Sequence, residues 1–303
     1  MASKQTRRSF LGKLGVAAAA LPFISYVNSA QAAVPGLKLG YSAITWGGND
    51  RQAVKEISSL GFKGIQLRSN ALKEFGDKPE ELHKLLAQHR LELAMFSSGN
   101  ANINTGDDEA VIQQHVDHAR FVKALGGQYI QVTNSSRPKE GTPSTADLQQ
   151  YGRLLNEIGK RTSEIGILTA YHNHMHQLGE TPEEVDVIIE NSNEQYVKLL
   201  LDVAHYHQGG GDPAQAIQKY KGRLKALHLK DVRPVPEEGP KAYKFVELGQ
   251  GEVDLPAVFD ALQQINFQGW GIVELDSVPD KGKTPLQCAQ VSRNYLKGKG
   301  MRV

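Results

Sequence analysis

The feature that most constrains this chain is an alternation that recurs along it: a short run of apolar residues, then a longer segment with apolar residues three and four apart. The short runs fall at residues 37–41, 65–67, 91–96, 128–132, 167–172, 197–202, 224–228 and 269–274. Apolar residues at consecutive rather than alternate positions predict strands buried on both faces, as in an all-parallel sheet. The longer segments, at 50–60, 79–89, 107–125, 144–165, 181–190, 212–221, 254–265 and 284–296, have helical spacing. Several carry start signals. Thr181 predicts an N-cap with Pro182 at the first helical position and Glu184 closing a capping box. Eight strand–helix units in about 270 residues predict a single-domain (β/α)8 TIM barrel, a fold of typically ~250 residues. A doubly wound open sheet is the rival. It is disfavoured because the segment after the first strand, YSAITWGGND from Tyr41, lacks a glycine-rich phosphate fingerprint.

The first 32 residues are read as an address rather than as part of this fold. Lys4, Arg7, Arg8 and Lys13 precede an apolar run from Leu14 to Val27, followed by Ala30-Gln31-Ala32, an A-x-A-like cleavage site. The run is shorter than the ~20 apolar residues of a spanning helix. Arg7-Arg8-Ser9-Phe10-Leu11 resembles a twin-arginine export signal. The expectation is a periplasmic protein with residues 1–32 as signal peptide and 33–303 as the barrel domain, without a membrane anchor after cleavage.

Charge and cysteine usage narrow the partners. Four of the positive charges lie in residues 1–32, which hold no carboxylate, so the formal +2 of the chain becomes −2 for the remainder. A mildly acidic domain has no bulk attraction for nucleic acid. The single cysteine, Cys288, excludes an intrachain disulfide and a thiolate-rich zinc site. A metal would need histidine and carboxylate ligands.

Such residues stand where a barrel places its chemistry, at the C-terminal ends of the strands. The fifth strand ends in Tyr171-His172-Asn173-His174, the sixth in Leu201-Asp202-Val203-Ala204-His205, the seventh in His228-Leu229-Lys230-Asp231, and the eighth in Val273-Glu274-Leu275-Asp276. Charged groups ending four adjacent apolar strands need partners. One shared divalent ion (Mn, Co or Zn) is the economical partner for His172, Asp202, His228 and Glu274. His172 and His174 share a strand face, so either fits as the strand-five ligand.

The segments Leu200–His205, His228–Asp231 and Val273-Glu274 resemble those of the xylose isomerase-like barrels, and the resemblance covers residues 37–296. That group includes sugar epimerases and inosose dehydratases. In the epimerases Glu, Asp, His and Glu hold the metal, and the last three correspond to Asp202, His228 and Glu274. The first departs, since His172 stands in place of the glutamate. Residues 171–175, YHNHM, are instead similar to the HNH and HHHM stretches of the keto-sugar and inosose dehydratase branch.

The resemblance implies proton abstraction next to a sugar carbonyl, with the metal polarising that carbonyl. Glu274 is the expected base, His174 the opposite acid if it is not a ligand, and Lys230 a group meeting a substrate oxygen. Lys230 paired with Asp231 at the surface is the alternative. His205, Trp46 and Gln66 are expected at the substrate, with Trp46 in the core as the alternative. Gly249-Gln250-Gly251 is read as a simple turn.

The leading expectation is an exported sugar isomerase or epimerase, with a lyase or dehydratase close behind. A non-catalytic sugar-binding protein is a third reading. A phosphodiesterase of the same barrel type would need further ligands on strands two and three, which are not evident. The partner is a small-molecule sugar. A homo-oligomer is compatible with the family, though no sequence feature decides it.

Overall fold

A computed structural model describes residues 34–239 and 242–303. The twin-arginine motif and the cleavage site lie outside the described residues. The described chain forms ten strands: β1 (Leu37–Ser42), β2 (Gly64–Arg68), β3 (Glu92–Asn100), β4 (Tyr129–Thr133), β5 (Leu168–His172), β6 (Val197–Asp202), β7 (Leu224–Leu229), β8 (Asp231–Pro234), β9 (Tyr243–Val246) and β10 (Gly269–Val273). All but β8 and β9 close into one parallel barrel in the order β1-β10-β7-β6-β5-β4-β3-β2. This is the (β/α)8 fold that the alternation predicts. β8 and β9 pair antiparallel as a hairpin directly after β7.

The surrounding helices are α1 (Asp50–Ser59), α2 (Leu72–Phe75), α3 (Pro79–Gln88), α4 (Asp108–Ala124), α5 (Thr145–Glu164), α6 (Pro182–Glu190), α7 (Val203–Gln208), α8 (Pro213–Lys219), α9 (Leu255–Gln264) and α10 (Pro285–Gly298). Their starts are chemically marked. Asn49, Asp107, Ser144, Thr181, Asp202, Asp212, Asp254 and Thr284 each accept a first-turn N–H on the side chain. Proline occupies the first turn of α3, α6, α8, α9 and α10, where no N–H is needed. Among the described residues no helix is long and apolar enough to cross a membrane.

One local expectation is corrected. Glu184 does not close a capping box on Thr181. Its carboxylate instead receives the Arg137 guanidinium and the N–H groups of Gly179 and Glu180, because a buried carboxylate gains more from a cation than from one more backbone N–H. The sixth strand ends at Asp202, as its apolar run predicts, and is followed by the short helix α7, too short for a periodicity to show.

The barrel interior is divided along its axis. Its lower part is apolar, filled by Ala94, Met95, Ala170, Leu200, Ala226, Trp270 and Ile272. Trp270 reaches across so closely that a Cβ on Gly64 of β2 would lie within 2.4 Å of its ring. Above it are buried polar residues, Gln66 on β2, Gln131 on β4, His172 on β5, Asp202 on β6 and His228 on β7. A packed floor under a polar rim is what holds a site at the C-terminal face.

Gly249-Gln250-Gly251 is more than a turn. The Asp231 carboxylate gathers the N–H groups of Val232, Gly249, Gly251 and Val253, which ties the loop to the base of the hairpin. A Cβ on Gly251 would sit 2.2 Å from Asp231 Oδ1. Gly251→Ala is therefore expected to destabilise by roughly 1–3 kcal/mol, as overpacking does. A melting curve several degrees below wild type is the expected reading, and an unchanged one would show the loop absorbs the methyl group.

Candidate metal centre

Parallel register brings the rim residues level. Asp202 of β6 pairs with His228 of β7 in the ladder, and Ile272 of β10 pairs with His228 on its other side, so Glu274 follows just above. His172 ends β5 beside Leu200. One donor atom from each of His172, Asp202, His228 and Glu274 lies within 4.8 Å of all the others. His172 Nε2 and His228 Nδ1 are 2.8 Å apart. His228 Nδ1 is 3.3 Å from both Asp202 Oδ2 and Glu274 Oε1, and His172 Nε2 is 3.7 Å from Asp202 Oδ2. Ligands about 2.1 Å from a common ion are separated by roughly 3–4 Å. The set therefore fits a divalent ion in spacing, in its two imidazoles and two carboxylates, and in charge.

Three of the four donors are held by a second partner, while His172 Nδ1 is buried with no partner among the described residues. Asp202 Oδ1 caps α7 by accepting the N–H groups of Ala204 and His205, both at 2.9 Å, which leaves Oδ2 facing the cluster. Capping and cluster roles are divided between its two oxygens. Gln66 joins the other two. His228 Nε2 donates to Gln66 Oε1 at 2.9 Å, so Nδ1 presents its lone pair inward. Gln66 Nε2 donates to Glu274 Oε2 at 3.0 Å. Outer partners of this kind fix ligand orientation and tautomer. Asn173 adds a brace: its side chain donates to the Asp202 carbonyl and accepts the Asp202 N–H.

Electrostatics agree with the geometry. Burial raises the Asp202 carboxyl, but His205, Lys230, His172 and His228 outweigh it and hold it well below the usual range. Glu274 is likewise raised by burial and lowered further by His228, Lys230 and His172, to about 2. Burial lowers His172 to about 4, keeping the neutral imidazole a ligand needs.

Lys230 is fully buried and is not paired with Asp231. Its ammonium lies 2.7 Å from Asp276, 3.3 Å from Glu274 and 3.8 Å from Asp202, and 4.2 Å from the Phe245 ring centre on β9. Burial alone would lower its pKa, yet Asp276, Glu274 and Asp202 drive it well above the ordinary value.

His174 lines the cavity above the cluster and packs on His205 with ring centres 3.8 Å apart. Its Nδ1 donates to the Met175 carbonyl at 2.6 Å, so Nε2 carries the lone pair. Burial lowers its pKa. His205 is buried beneath it, accepting the Met175 N–H and lying 3.4 Å from Lys230 Nζ.

Trp46 does not line the cavity. It is buried edge-on against Tyr41, and its indole N–H finds Glu56 on α1 at 2.7 Å. A buried indole settles where its N–H has an acceptor, and here that is the helix side. The cavity measures about 270 Å³, at the small end for ligand sites. It also exposes Arg68, Gln131, Gln177 and Asp276, which the strand-end pattern does not single out. Asp276 had a signal, two residues past Glu274 on the same side; Gln131 had none beyond its place in β4.

Residues 54–296 match the profile of the xylose isomerase-like TIM barrel. The chain belongs to this family. Within it, the chain is similar to an inosose dehydratase of Clostridium botulinum, at 28% identity over 297 residues, covering 87% of this chain and 97% of the relative. Among solved structures it superposes on the zinc-binding IOLI protein with a TM-score of 0.74 at 18% identity, covering 87% of this chain and 98% of the other. It superposes on a probable 3-DHS dehydratase of Bacillus anthracis with a TM-score of 0.70 at 17% identity, covering 86% and 99%. These superpositions bear on the fold.

If the four donors hold an ion, their outer partners govern its retention. Gln66→Leu, which frees His228 Nε2 and Glu274 Oε2 together, is expected to weaken metal affinity about 10–100-fold. Competition with a chelator, read by elemental analysis, measures this. Asp202→Ala is expected to abolish retention.

Proposed function

We propose that this chain is a divalent-metal-dependent lyase that removes water from a keto-sugar or ketocyclitol of the inosose class. The observation that carries this is the asymmetry of the rim. His172 stands where a symmetric epimerase would need a second carboxylate, and a lone-pair nitrogen, His174 Nε2, lines the cavity beside it. The similarity to inosose dehydratases across most of both chains supports the same direction.

A divalent ion in the set of His172, Asp202, His228 and Glu274 would polarise the substrate carbonyl and acidify the adjacent C–H. Glu274, the base expected from sequence, has Oε2 committed to Gln66 and Oε1 facing His228 and Lys230. It is better suited to ligation than to proton transfer. The neutral His174 is the base in this reading. Nε2 takes the proton α to the carbonyl, and the C–H electron pair forms the new double bond. The β-hydroxyl departs and receives that proton from the His174 imidazolium, leaving as water. Lys230 is held too firmly protonated to shuttle a proton. It balances Glu274 and Asp276 and gives a fixed positive field to an oxygen that gains charge.

An isomerase or epimerase is the second reading, favoured by the presence of both Glu274 and His174 on the cavity wall. It shares the first step and differs in returning the proton to carbon. The order of the two expectations from sequence is thus reversed. Export by the twin-arginine route, with residues 1–32 removed, completes the proposal and rests on the sequence of that segment alone.

Incubating the Mn²⁺-loaded protein with inosose in D₂O separates the readings. Release of water with formation of an unsaturated or diketo product supports the lyase. Deuterium entering carbon with no loss of water shifts the assignment to an isomerase, and neither event indicates a sugar-binding protein. His174→Gln is expected to lower kcat about 10²–10⁴-fold with metal content unchanged.

A further inference from the structure

Three residues that take no part in the metal centre stand level on adjacent strands: Arg68 on β2, Ser97 on β3 and Gln131 on β4. Arg68 pairs with Ser97 in the ladder and Ser97 with Gln131, so the three side chains leave the same face of the sheet. All three line the cavity. With strands about 4.8 Å apart, the row spans roughly 10 Å. A short serine between two long side chains leaves a notch in this wall. The free hydrogen-bonding capacity of the row is of one kind. Gln131 is 5% exposed with its Oε1 closed off, so its amide nitrogen is the group left to the cavity. Neither that nitrogen nor the Ser97 hydroxyl has a partner among the described residues. The Arg68 guanidinium can only donate, and among the described residues no carboxylate forms an ion pair with it. Asp50 at the start of α1 lies within its field but accepts from Asn70 instead. The neighbours on this wall are already engaged. Thr133 donates to Asn100 and Asn100 to Ser135, and the Gln177 amide oxygen accepts the Asn134 N–H. Charge points the same way. In the candidate centre a divalent ion and Lys230 are matched by Asp202, Glu274 and Asp276. Arg68 is the cavity-lining cation left over.

We propose that Arg68, Ser97 and Gln131 form a carboxylate subsite, so that the substrate is a keto-sugar or ketocyclitol bearing a carboxylate on the side away from the metal centre. The proposal rests on the functional reading above and narrows its substrate class. Donors left without acceptors at a cavity wall cost desolvation, which a ligand rich in acceptors repays. A carboxylate only accepts, and its two oxygens match the guanidinium fork. Its remaining lone pairs suit the Ser97 hydroxyl and the Gln131 amide N–H. A hydroxyl accepts as well but brings no charge to answer Arg68. A phosphate brings more negative charge than one arginine balances.

The test uses the Mn²⁺-loaded full barrel and two matched pairs, 5-ketogluconate with L-sorbose and glucuronate with glucose. Each pair differs only in a carboxylate against a neutral hydroxymethyl group. Binding is read by calorimetry, and release of water from inosose and 5-ketogluconate is read separately. The acid of at least one pair is expected to bind roughly 10–100-fold more tightly than its neutral partner, the range for hydrogen bonds to a charged group. Arg68→Met is expected to bring that pair level and to leave the neutral member as in wild type. Arg68→Lys, which keeps the charge but not the fork, is expected to keep part of the preference, and Gln131→Met to reduce it. Arg68 is exposed, so its variants keep the fold, and metal content reports whether the centre is intact. A wild type with no preference for either acid overturns the proposal. So does a preference that survives in Arg68→Met, which would place the carboxylate elsewhere. Arg68-dependent preference with no water released from either ketone leaves the subsite standing and sinks the lyase reading. Release of water without a preference for the acids does the reverse. A wild type that binds none of the four compounds and leaves inosose unchanged overturns both.

Discussion

Two carboxylates buried within one small volume, Asp202 and Glu274, dictate how the upper end of this barrel is built. Neither carboxyl is exposed enough to be stabilised by water, and negative charge in so dry a place is tolerated only with positive partners and directed hydrogen bonds. The structure supplies them from every side: the α7 N–H groups at Asp202, the Gln66 amide at Glu274, the Lys230 ammonium near both, and imidazoles between them. The same arrangement leaves Asp202 Oδ2 and Glu274 Oε1 turned toward His172 and His228. Structure and proposed chemistry share one set of charges.

The barrel was legible in sequence because its strands are buried on both faces. Ile65-Gln66-Leu67 and Val197 to Asp202 read as strands through apolar content alone, and capped helices filled the intervals. The convergence of His172, Asp202, His228 and Glu274 was also legible, since parallel strands in order must bring their C-terminal ends together. What escaped were features that depend on a side chain's second partner. Glu184 looks like a capping residue until Arg137, 47 positions away, claims it. Trp46 looks like a sugar platform until Glu56 offers its indole an acceptor. Lys230 next to Asp231 looks like a local pair, yet Asp231 is drawn off by four backbone N–H groups and Lys230 turns inward.

Asymmetry runs through the site. The carboxylates come from the end of β6 and the residue after β10 and the imidazoles from β5 and β7, while the cavity is lined from β2, β3, β4, β5 and the segment after β10. The hairpin of β8 and β9 stands on the other side, where Phe245 lies over Lys230 and edges against His205. A ligand entering the cavity thus meets amides and hydroxyls on one wall and the charged cluster on the opposite one. That layout suits a molecule held on one side while the other reacts.

Gln66 is the side chain through which these two walls communicate. It is an amide in a place where an acid of the same shape would fit. With a divalent ion in the proposed set, an acid there would add a third negative group beside two carboxylates that already match its charge. The ion would then be over-neutralised, and its pull on a ligand's electrons would fall. As an amide, Gln66 aligns its neighbours and contributes no charge of its own. One nitrogen in place of one oxygen would thereby set how much Lewis acidity a bound ion has left to offer.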